Sequence, residues 1–377
     1  MGFRVGVIGG GQLARMMIEP ALALGLEIKV FAENVGSSAA QAATAVGDYT
    51  QLDEVREFAK SVDVITFDHE HVPLGILEIL EAEGVSVQPS PKALRFAQNK
   101  LHMRARLSEL GLPMPAWAEI RSAEELDSFI AEQGGVAILK TPIGGYDGKG
   151  VAVVRSSADA KLWLENLSDF GGSLLAEAKV EFVRELAQLV ARRPSGELKE
   201  WPLVQTVQRD GVCSEVLAPA PGANGATLEE AARIAKTVAE GLGVTGVLAV
   251  ELFETATGEL LVNELAMRPH NSGHFSIEGS TTSQFEQHLR AVLDLPLGST
   301  ESRAAHSVMI NLLGVDEQND FVSAYPAALG SHPTAKFHTY GKSARKGRKM
   351  GHVTVIGANF DDVLAEARAA ANSCLKG

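Results

Sequence analysis

Apolar and polar positions alternate along the first hundred residues in a pattern that predicts strands separated by amphipathic helices. The strand-like apolar runs lie at 3–8, 26–32, 62–67 and 85–88. Helical spacing marks the segments 12–24, 51–60, 74–82 and 91–110. Strand–helix alternation of this kind is typical of a parallel sheet with crossover helices. The first part of the chain is therefore predicted to be an α/β domain.

The pattern changes after residue 117. Short strands at 136–140 and 151–154 flank a glycine-rich loop, and the segment 173–192 is strand-like up to a turn at 193–196. A helix at 227–241 then precedes two strands around a turn at 254–258. After Pro296 come strands near 306–313 and 352–356 and a closing helix, 361–372. These features predict an α+β middle domain with antiparallel pairing and a smaller third unit.

Composition and charge restrict the classes of function. The 377 residues correspond to two or three domains, and 45% hydrophobic with 21% charged residues is a globular mixture. A net charge of −13 disfavours general binding to nucleic acid or an anionic membrane, so any anion must be bound by a local basic cluster. No apolar run approaches the ~20 residues of a membrane span. Cys213 and Cys374 lie far apart, which argues against a disulfide scaffold and fits the cytoplasm.

A short glycine motif follows the first strand. Gly9-Gly10-Gly11-Gln12-Leu13-Ala14 satisfies G-x-G-x-x-A, and Glu33 ends the next strand. This is the dinucleotide-binding fingerprint, in which glycines admit a phosphate to a helix N-terminus. Any tight strand-to-helix turn also needs small residues, so the motif leaves a nicotinamide cofactor open without establishing it.

The segment Lys140-Thr141-Pro142-Ile143-Gly144-Gly145-Tyr146-Asp147-Gly148-Lys149-Gly150 is the most informative one. A lysine ends a strand, and a loop with four glycines returns into the next strand. Glycines allow backbone N–H groups to converge on phosphate oxygens, and the lysines supply positive charge. The loop leads to a strand rather than a helix, which distinguishes it from a Walker loop. A mobile hairpin tip is the alternative, but the combination of residues favours phosphate binding.

Glu251 and Glu264 are the candidate metal ligands. If Thr257 and Gly258 form a two-residue turn, these glutamates lie directly opposite each other on one face of a hairpin. Like charges in that position repel unless a cation lies between them. Mg²⁺ with nucleotide phosphates needs only one or two carboxylates. In the alternative, the register slips by one residue and the carboxylates diverge into solvent.

Three polar segments complete the candidate site. The polar segment from Asn263 to His274 comes at the second strand of this hairpin. Its two histidines would have zinc spacing only on a helix, which Pro269 and Gly273 disfavour. The segment is interpreted as a ligand-binding loop in which Arg268 contacts an anion. Lys342 to Lys349 contains five basic residues in eight. Asp68 to His71 follows a strand end, where ligands of parallel sheets bind.

Together and in this order, these motifs resemble the ATP-grasp superfamily, and within it the 5-(carboxyamino)imidazole ribonucleotide synthases. The resemblance spans the whole chain and rests on GGGQLARMM (9–17), KTPIGGYDGKG (140–150), NELAMRPHNSGH (263–274) and YGKSARKGRKMGH (340–352). It implies an ATP-grasp fold with an N-terminal Rossmann-like domain at 1–98, an ATP-grasp domain at 99–296 with a lid at about 115–178, and a small C-terminal domain at 297–377. It also implies a homodimer.

The resemblance further implies a reaction. ATP phosphorylates bicarbonate to carboxyphosphate, and the amine of aminoimidazole ribonucleotide is then carboxylated, with release of ADP and phosphate. ATP and Mg²⁺ are the implied cofactors, and Glu251 and Glu264 the metal ligands. The implied nucleotide-binding residues are Lys100, Lys140, Gly145, Tyr146, Gly148, Gly150, Val151, Glu177, Ala178, Lys179, Val180, Glu185, Gln208 and Asn263. The implied residues for the imidazole nucleotide or bicarbonate are Gly11, Gln12, Glu70, Tyr146, His270, Asn271, Ser272, Lys342, Arg348 and Lys349. Asp147, Lys149 and Arg268 are the expected catalytic residues.

Some positions depart from the family pattern. Lys100 stands where arginine is usual, which keeps the charge but loses the bidentate fork. Gln208 stands where histidine is common, and Met267 replaces a proline. These changes affect nucleotide contacts and leave the carboxylate pair and the glycine loop intact. Asp147, the only carboxylate in the glycine loop, is the expected acceptor of the proton that the attacking amine loses.

Three other functions remain open from the sequence. A nicotinamide-dependent oxidoreductase would use the N-terminal fingerprint but leaves the glycine loop and the paired glutamates unexplained. A related ATP-grasp enzyme, such as formate-dependent glycinamide ribonucleotide transformylase or biotin carboxylase, would act on another acceptor. A catalytically silent ATP-binding regulator would not need Glu251, Glu264 and Lys140 together.

Overall fold

The first hundred residues form a four-stranded parallel sheet, as the sequence pattern predicts. The computed structural model describes residues 2–144, 150–316 and 321–375. The strands lie side by side in the order β3-β2-β1-β4, and all of their pairings are parallel. They are β1 (Arg4–Ile8), β2 (Glu27–Ala32), β3 (Ala43–Val46) and β4 (Val64–Phe67). The helices are α1 (Gln12–Ala23), α2 (Leu52–Ala59), α3 (Leu74–Ala82) and α4 (Pro91–Gln98).

Two sequence expectations for this part are wrong. The segment 85–88 forms no regular strand: Val87 makes one isolated parallel bridge to Ile65, and Pro89 then has no N–H to extend the ladder. The helical stretch 91–110 is two helices, because Asn99 is extended and interrupts it. The Asn99 side chain accepts hydrogen bonds from the N–H groups of Leu101 (3.0 Å) and His102 (3.1 Å), so it caps the second helix, α5 (Lys100–Glu109).

A small antiparallel sheet carries the glycine-rich loop. Its strand order is β5-β8-β6-β7, and the loop joins β6 to β7. The strands are β5 (Trp117–Ile120), β6 (Ala137–Lys140), β7 (Val151–Val154) and β8 (Leu174–Ala178). The helices α6 (Ala123–Glu132) and α7 (Lys161–Glu165) accompany this sheet, with a core that includes Leu126, Phe129 and Leu139.

A nine-stranded sheet extends from the middle of the chain into its C-terminal part, in the order β14-β13-β9-β11-β12-β15-β17-β16 with β10 paired to β9. The strands are β9 (Phe182–Arg192), β10 (Leu198–Glu200), β11 (Val204–Arg209), β12 (Val212–Ala218), β13 (Gly246–Thr255), β14 (Leu260–Ala266), β15 (His306–Leu313), β16 (Lys336–Thr339) and β17 (Lys349–Gly357). The helices are α8 (Gly225–Gly241), α9 (Ser276–Gly279), α10 (Gln284–Val292), α11 (Phe321–Ser331) and α12 (Phe360–Leu375).

The third unit shares this sheet instead of forming one of its own. Residues Glu215 to Ala218 of β12 pair with Ser307 to Ile310 of β15. Leu217 packs in one apolar cluster with Val308 and other residues of the C-terminal part. The strands after Pro296 therefore continue the middle sheet. Within the described residues, no helix combines the length and apolar character needed to cross a bilayer.

Helix α10 joins the first domain to the large sheet through a buried histidine. His288 is fully buried, and its Nδ1 accepts the Val247 N–H at 3.0 Å. The proton must then be on Nε2, which donates to Thr66 Oγ1 at 2.7 Å. Burial lowers the pKa of His288 to about 3, so the ring is neutral at pH 7. The two contacts require this neutral form, because Nδ1 must accept while Nε2 donates.

This contact predicts part of the acid sensitivity of the fold. Because the pKa of His288 is about 3 in the folded state and 6.5 in the unfolded state, its stabilisation is present above pH 6.5 and is lost as the pH falls toward 3. His288→Asn should reduce the slope of unfolding free energy against pH by about 1.4 kcal/mol per pH unit between pH 6 and 4. Urea unfolding at several pH values measures the slope. His306→Asn, at a half-buried position, is the control, and equal slopes in wild type and His288→Asn would contradict the prediction.

The shared sheet predicts that a chain ending at residue 296 does not fold as a monomer. Without β15, the N–H and C=O groups of β12 and the side chain of Leu217 lose their partners at a new sheet edge, and such an edge favours association. Size-exclusion chromatography with light scattering, compared with the full chain, tests this. A monomeric fragment with a cooperative unfolding transition would show that the third unit is independent.

Candidate active site

Glu251 and Glu264 lie opposite each other across the β13–β14 hairpin, as expected, but the hairpin reaches this pairing by a different route. Its register is Glu254 with Leu260 and Leu252 with Val262, and it shifts before Glu251 pairs with Glu264. The hairpin thus has a longer loop than the predicted two-residue turn, and the extra residue Asn263 forms a β-bulge. The longer loop shifts the register by one residue, and the bulge shifts it back by one residue. The predicted pairing of Glu251 with Glu264 is therefore restored.

The electrostatics of this pair fit a bound cation. Burial and the nearby charges of Glu264 and Glu185 raise the pKa of Glu251 to about 8. Its nearest ring neighbour is His270, with Nε2 at 3.4 Å from Glu251 Oε1. Burial lowers the pKa of His270 to about 3, so the imidazole is neutral at pH 7 and supplies no countercharge. In the described part of the chain no three His, Cys, Asp or Glu side chains form a metal-binding group, so the donor set here is the carboxylate pair, which fits Mg²⁺ when phosphates complete its shell.

A buried ionic cluster links the two antiparallel sheets beside this pair. Glu177, at the end of β8, has one carboxylate oxygen 2.7 Å from Lys140 Nζ and the other 2.5 Å from Arg104 Nε. Burial alone would raise the pKa of Glu177, but attraction by Arg104 and Lys140 outweighs it and lowers the pKa. Lys140 Nζ also donates to Asn263 Oδ1 at 3.3 Å. The side chain of Glu177 thus contacts these cations, and residues 177–180, called the hinge from here on, line the cavity.

Lys100 lies at the first turn of α5 and contacts Glu264, one of the two paired glutamates. Its Nζ is 3.2 Å from Glu264 Oε1 and 3.1 Å from the Gly144 carbonyl oxygen. The Asn99 cap, which interrupts the predicted long helix, places this lysine there. A single amine thus links Glu264 to the start of the glycine loop, so the loss of the guanidinium fork leaves this link intact.

The glycine turn of the first domain is occupied by its own side chains. Glu33 Oε2 accepts the Gly10 N–H at 3.0 Å, and Asp68 Oδ1 accepts the Ala14 N–H at 2.7 Å. The hydrogen bond from His69 holds the pKa of Glu33 at about 2, so Glu33 is ionised. A Cβ on Gly11 would lie only 2.0 Å from Asp68 Oδ2. The carboxylates take the position at the α1 N-terminus where a dinucleotide phosphate would bind, which argues against the nicotinamide interpretation.

The loop after β14 connects the first domain to the site. Arg268 Nε donates to Glu70 Oε2 at 2.8 Å. His270 Nδ1 lies 2.8 Å from Ser272 Oγ, and Ser272 itself is completely buried. The Asn271 amide exchanges hydrogen bonds with Asn311 of β15 at 2.7 and 3.1 Å. Ser272 therefore orients His270 and does not reach the cavity.

The C-terminal part closes the opposite side. Lys342 Nζ donates to Gln12 Oε1 at 2.7 Å, which joins the basic segment to the first domain. Lys349, at the start of β17, also lines the cavity. Arg348 instead contacts the Ser343 carbonyl and hydroxyl at 3.0 and 3.1 Å and is absent from the cavity wall.

One cavity of about 1260 Å³ brings most of these residues together. The sequence-predicted residues that line it are Gly11, Gln12, Glu70, Lys100, Lys140, Val151, Glu177, Ala178, Lys179, Val180, Glu185, Gln208, Glu251, Asn263, Glu264, Arg268, His270, Asn271, Lys342 and Lys349. Gly150, Ser272 and Arg348 are described but do not line it. The predictions for Gly145, Tyr146, Asp147, Gly148 and Lys149 lie outside the described residues.

The sequence interpretation missed Arg104 and the aromatic pair Phe182 and Phe253. The two phenylalanine rings stack with centroids 4.6 Å apart at the cavity wall. Arg104 is completely buried and holds Glu177. Its sequence signal was its position between Met103 and Leu107 on the apolar face of a helix, where a charged residue needs a buried partner.

Family models match three consecutive parts of the chain. Residues 3–98 match a ribonucleotide synthetase preATP-grasp domain, and residues 105–285 match the ATP-grasp domain. Residues 307–366 match a phosphoribosylaminoimidazole carboxylase C-terminal domain.

Similar proteins cover nearly the whole chain. N5-carboxyaminoimidazole ribonucleotide synthase of Mycobacterium tuberculosis is 47% identical over an alignment of 378 positions that covers 98% of this chain and 87% of that protein. The structure of carboxyaminoimidazole ribonucleotide synthase of Aspergillus clavatus with ATP has a TM-score of 0.90 at 35% identity and covers 99% of this chain and 98% of that one. The structure of the same enzyme with ADP and 5-aminoimidazole ribonucleotide has a TM-score of 0.90 at 34% identity and covers 100% of this chain and 99% of that one.

The nicotinamide interpretation of the glycine turn is thus wrong, and the expected ATP-grasp fold, with its parallel N-terminal domain and its C-terminal domain, is confirmed. The similarity over the whole chain and the position of the sequence motifs around one cavity lead to the same assignment. This chain belongs to the N5-carboxyaminoimidazole ribonucleotide synthase family of ATP-grasp enzymes.

Proposed function

We propose that this chain is an ATP-dependent ligase that carboxylates the amine of 5-aminoimidazole ribonucleotide with bicarbonate in purine biosynthesis. ATP phosphorylates bicarbonate to carboxyphosphate; the amine then attacks its carbon, phosphate leaves, and one proton is lost from nitrogen. The observation that carries the proposal is the single cavity in which the paired glutamates, the hinge and the basic residues of all three parts of the chain converge.

The nucleotide is assigned to the space between the two antiparallel sheets. Phe182 and Phe253 offer an apolar surface for a flat base, and Glu185 lies on the same wall for the ribose. Lys140 Nζ contacts Asn263 Oδ1 and Lys100 Nζ contacts Glu264 Oε1, which places positive charge where phosphates would meet the carboxylates. Transfer of a phosphoryl group depends mainly on such positioning and charge compensation.

Glu251 and Glu264 are assigned as ligands of Mg²⁺, with Asn263 beside them. When bound, Mg²⁺ would neutralise phosphate charge and so supply the countercharge that the pair lacks. His270 keeps its proton on Nε2 toward Glu251, because Nδ1 accepts the Ser272 backbone N–H at 3.4 Å. The orientation of this neutral ring therefore keeps a hydrogen-bond donor beside the carboxylate.

The imidazole nucleotide is assigned to the other half of the cavity. Lys342 and Lys349 provide local positive charge for its phosphate in a protein with net charge −13. The Arg268–Glu70 pair holds a guanidinium near the place where the carboxylated intermediate must react. Asp147 is proposed as proton acceptor, with Lys149 and the glycine loop closing over carboxyphosphate, which water would hydrolyse. A homodimer and a cytoplasmic location are part of this proposal and rest on the family resemblance and the cysteine content.

The first test is ADP release from MgATP and bicarbonate with and without aminoimidazole ribonucleotide. We expect strong stimulation by the nucleotide, and Glu264→Gln should lower the stimulated rate by about 100-fold or more, because it removes one carboxylate charge at the metal pair. Glu259→Gln is the matched control, because Glu259 is exposed at the tip of the same hairpin. ADP release that ignores the nucleotide would assign another acceptor, and an active Glu264→Gln protein would remove the metal role.

The basic segment predicts a selective effect on one substrate. Lys342→Ala should raise the KM for aminoimidazole ribonucleotide about tenfold or more, since a hydrogen bond to a charged group contributes about 1.5–3 kcal/mol. The KM for ATP should stay unchanged, because Lys342 contacts Gln12 of the first domain, whereas ATP is assigned to the space between the two antiparallel sheets. Lys346→Ala, an exposed residue of the same segment, is the control. Equal increases in both KM values would contradict the assignment.

A further inference from the structure

The pairing of Glu251 with Glu264 depends on the bulge at Asn263. Val262 pairs with Leu252 in the apolar core, whereas Glu264 pairs with Glu251 at the cavity. Residues two apart on a regular strand lie on the same face. Val262 and Glu264 can face opposite sides only because Asn263 is an extra residue between them.

Strand β14 is the edge strand of the large sheet, and at the bulge Arg104 donates to two of its carbonyl groups. Arg104 Nη1 donates to the Val262 carbonyl at 2.8 Å, and Nη2 donates to the Asn263 carbonyl at 2.7 Å. Its Nε is held by Glu177 at 2.5 Å, and the whole residue is buried. The planar guanidinium thus spans the bulge on one side and the hinge strand β8 on the other.

We propose that Arg104 is a positioning residue for the divalent-cation site: it holds the Asn263 bulge and thereby keeps Glu264 opposite Glu251. This inference rests on the proposed function, because it takes the two glutamates as metal ligands. Arg104 itself does not line the cavity and acts only through the strand.

The register of the hairpin shows what the bulge prevents. If the strand continued from the Leu252–Val262 pair without a bulge, Asn263 would stand opposite Glu251 and Glu264 opposite Val250. A one-residue shift moves every side chain to the other face, so Glu264 would point into the core. Burying that charge is unfavourable, so loss of Arg104 should give a mobile bulge and a weak metal site rather than a stable shifted strand.

The experiment measures Mn²⁺ binding to the full-length protein with saturating ADP, by electron paramagnetic resonance of free Mn²⁺. Arg104→Lys keeps the charge beside Glu177 but cannot donate in the same plane to both carbonyls. We expect Mn²⁺ to bind about 10- to 100-fold more weakly, the range typical for residues that orient metal ligands. The Mg²⁺ concentration for half-maximal rate should rise, while the KM for aminoimidazole ribonucleotide at saturating Mg²⁺ should not change.

Arg106→Lys is the matched control on the same helix, because Arg106 contacts only Glu109 and the Gly241 carbonyl among the hydrogen bonds described. Its Mn²⁺ affinity should equal that of the wild type. Circular dichroism at the assay temperature establishes that each variant is folded.

Deletion of Asn263 separates positioning from general stability. Without this residue, Glu264 falls opposite Glu251 on a regular strand, so the pairing no longer needs Arg104. Deletion lowers Mn²⁺ affinity by itself, since Asn263 contributes to the site, but adding Arg104→Lys should then have no further effect. The same loss in both backgrounds would assign Arg104 a general structural role and overturn the inference.

The two levels of proposal fail in different ways. If Arg104→Lys binds Mn²⁺ as the wild type does, only the positioning role is wrong. If the wild type binds no Mn²⁺ in the presence of ADP, the metal site in the proposed function is wrong. If Arg104→Lys does not fold, the comparison between the Asn263 deletion and the same deletion with Arg104→Lys decides the question, because the regular strand no longer requires the arginine.

Discussion

Two carboxylates face each other on one hairpin, and the surrounding structure compensates for their repulsion. Burial and the neighbouring carboxylates raise the pKa of Glu251 to about 8, so the pair is poorly satisfied by the protein alone. Lys100 approaches Glu264, while Lys140 is divided between Glu177 and Asn263. The nearest histidine is neutral and adds no charge. A cation bound together with phosphates would relieve the repulsion between the two carboxylates.

This constraint explains why three parts of the chain meet at one place. In the first domain, Glu70 contacts Arg268 and Gln12 contacts Lys342, so this domain fixes basic side chains of the other two parts of the chain. The C-terminal part continues the large sheet through the β12–β15 pairing. These contacts hold the three parts of the chain around one cavity.

The carboxylate pair illustrates how a correct prediction can rest on an incorrect turn. The predicted two-residue turn would have paired Val262 with Phe253. Val262 belongs to the apolar core, whereas Phe253 faces the cavity, so this pairing would have joined residues of opposite faces. The observed pairing of Val262 with Leu252 satisfies the core, and the bulge then brings Glu264 back to the site. Bulges depend on a partner such as Arg104, which lies far away in the sequence, so hairpin spacing alone cannot predict them.

The sequence by itself determined most of the order of strands and helices, the antiparallel middle domain, and about half of the residues that line the cavity. The elements follow from local periodicity and from glycine and proline positions, whereas many of the cavity residues, such as Glu185 and Gln208, were implied by the family resemblance of the motifs. Only the tertiary structure decided that Glu33 and Asp68 fill the glycine turn, that Glu177 serves Arg104 and Lys140, and that Ser272 and Arg348 stay outside the cavity. The physical reason is that a charged side chain binds whichever partner the packed chain brings within reach, and those partners lie from tens to hundreds of residues away along the sequence.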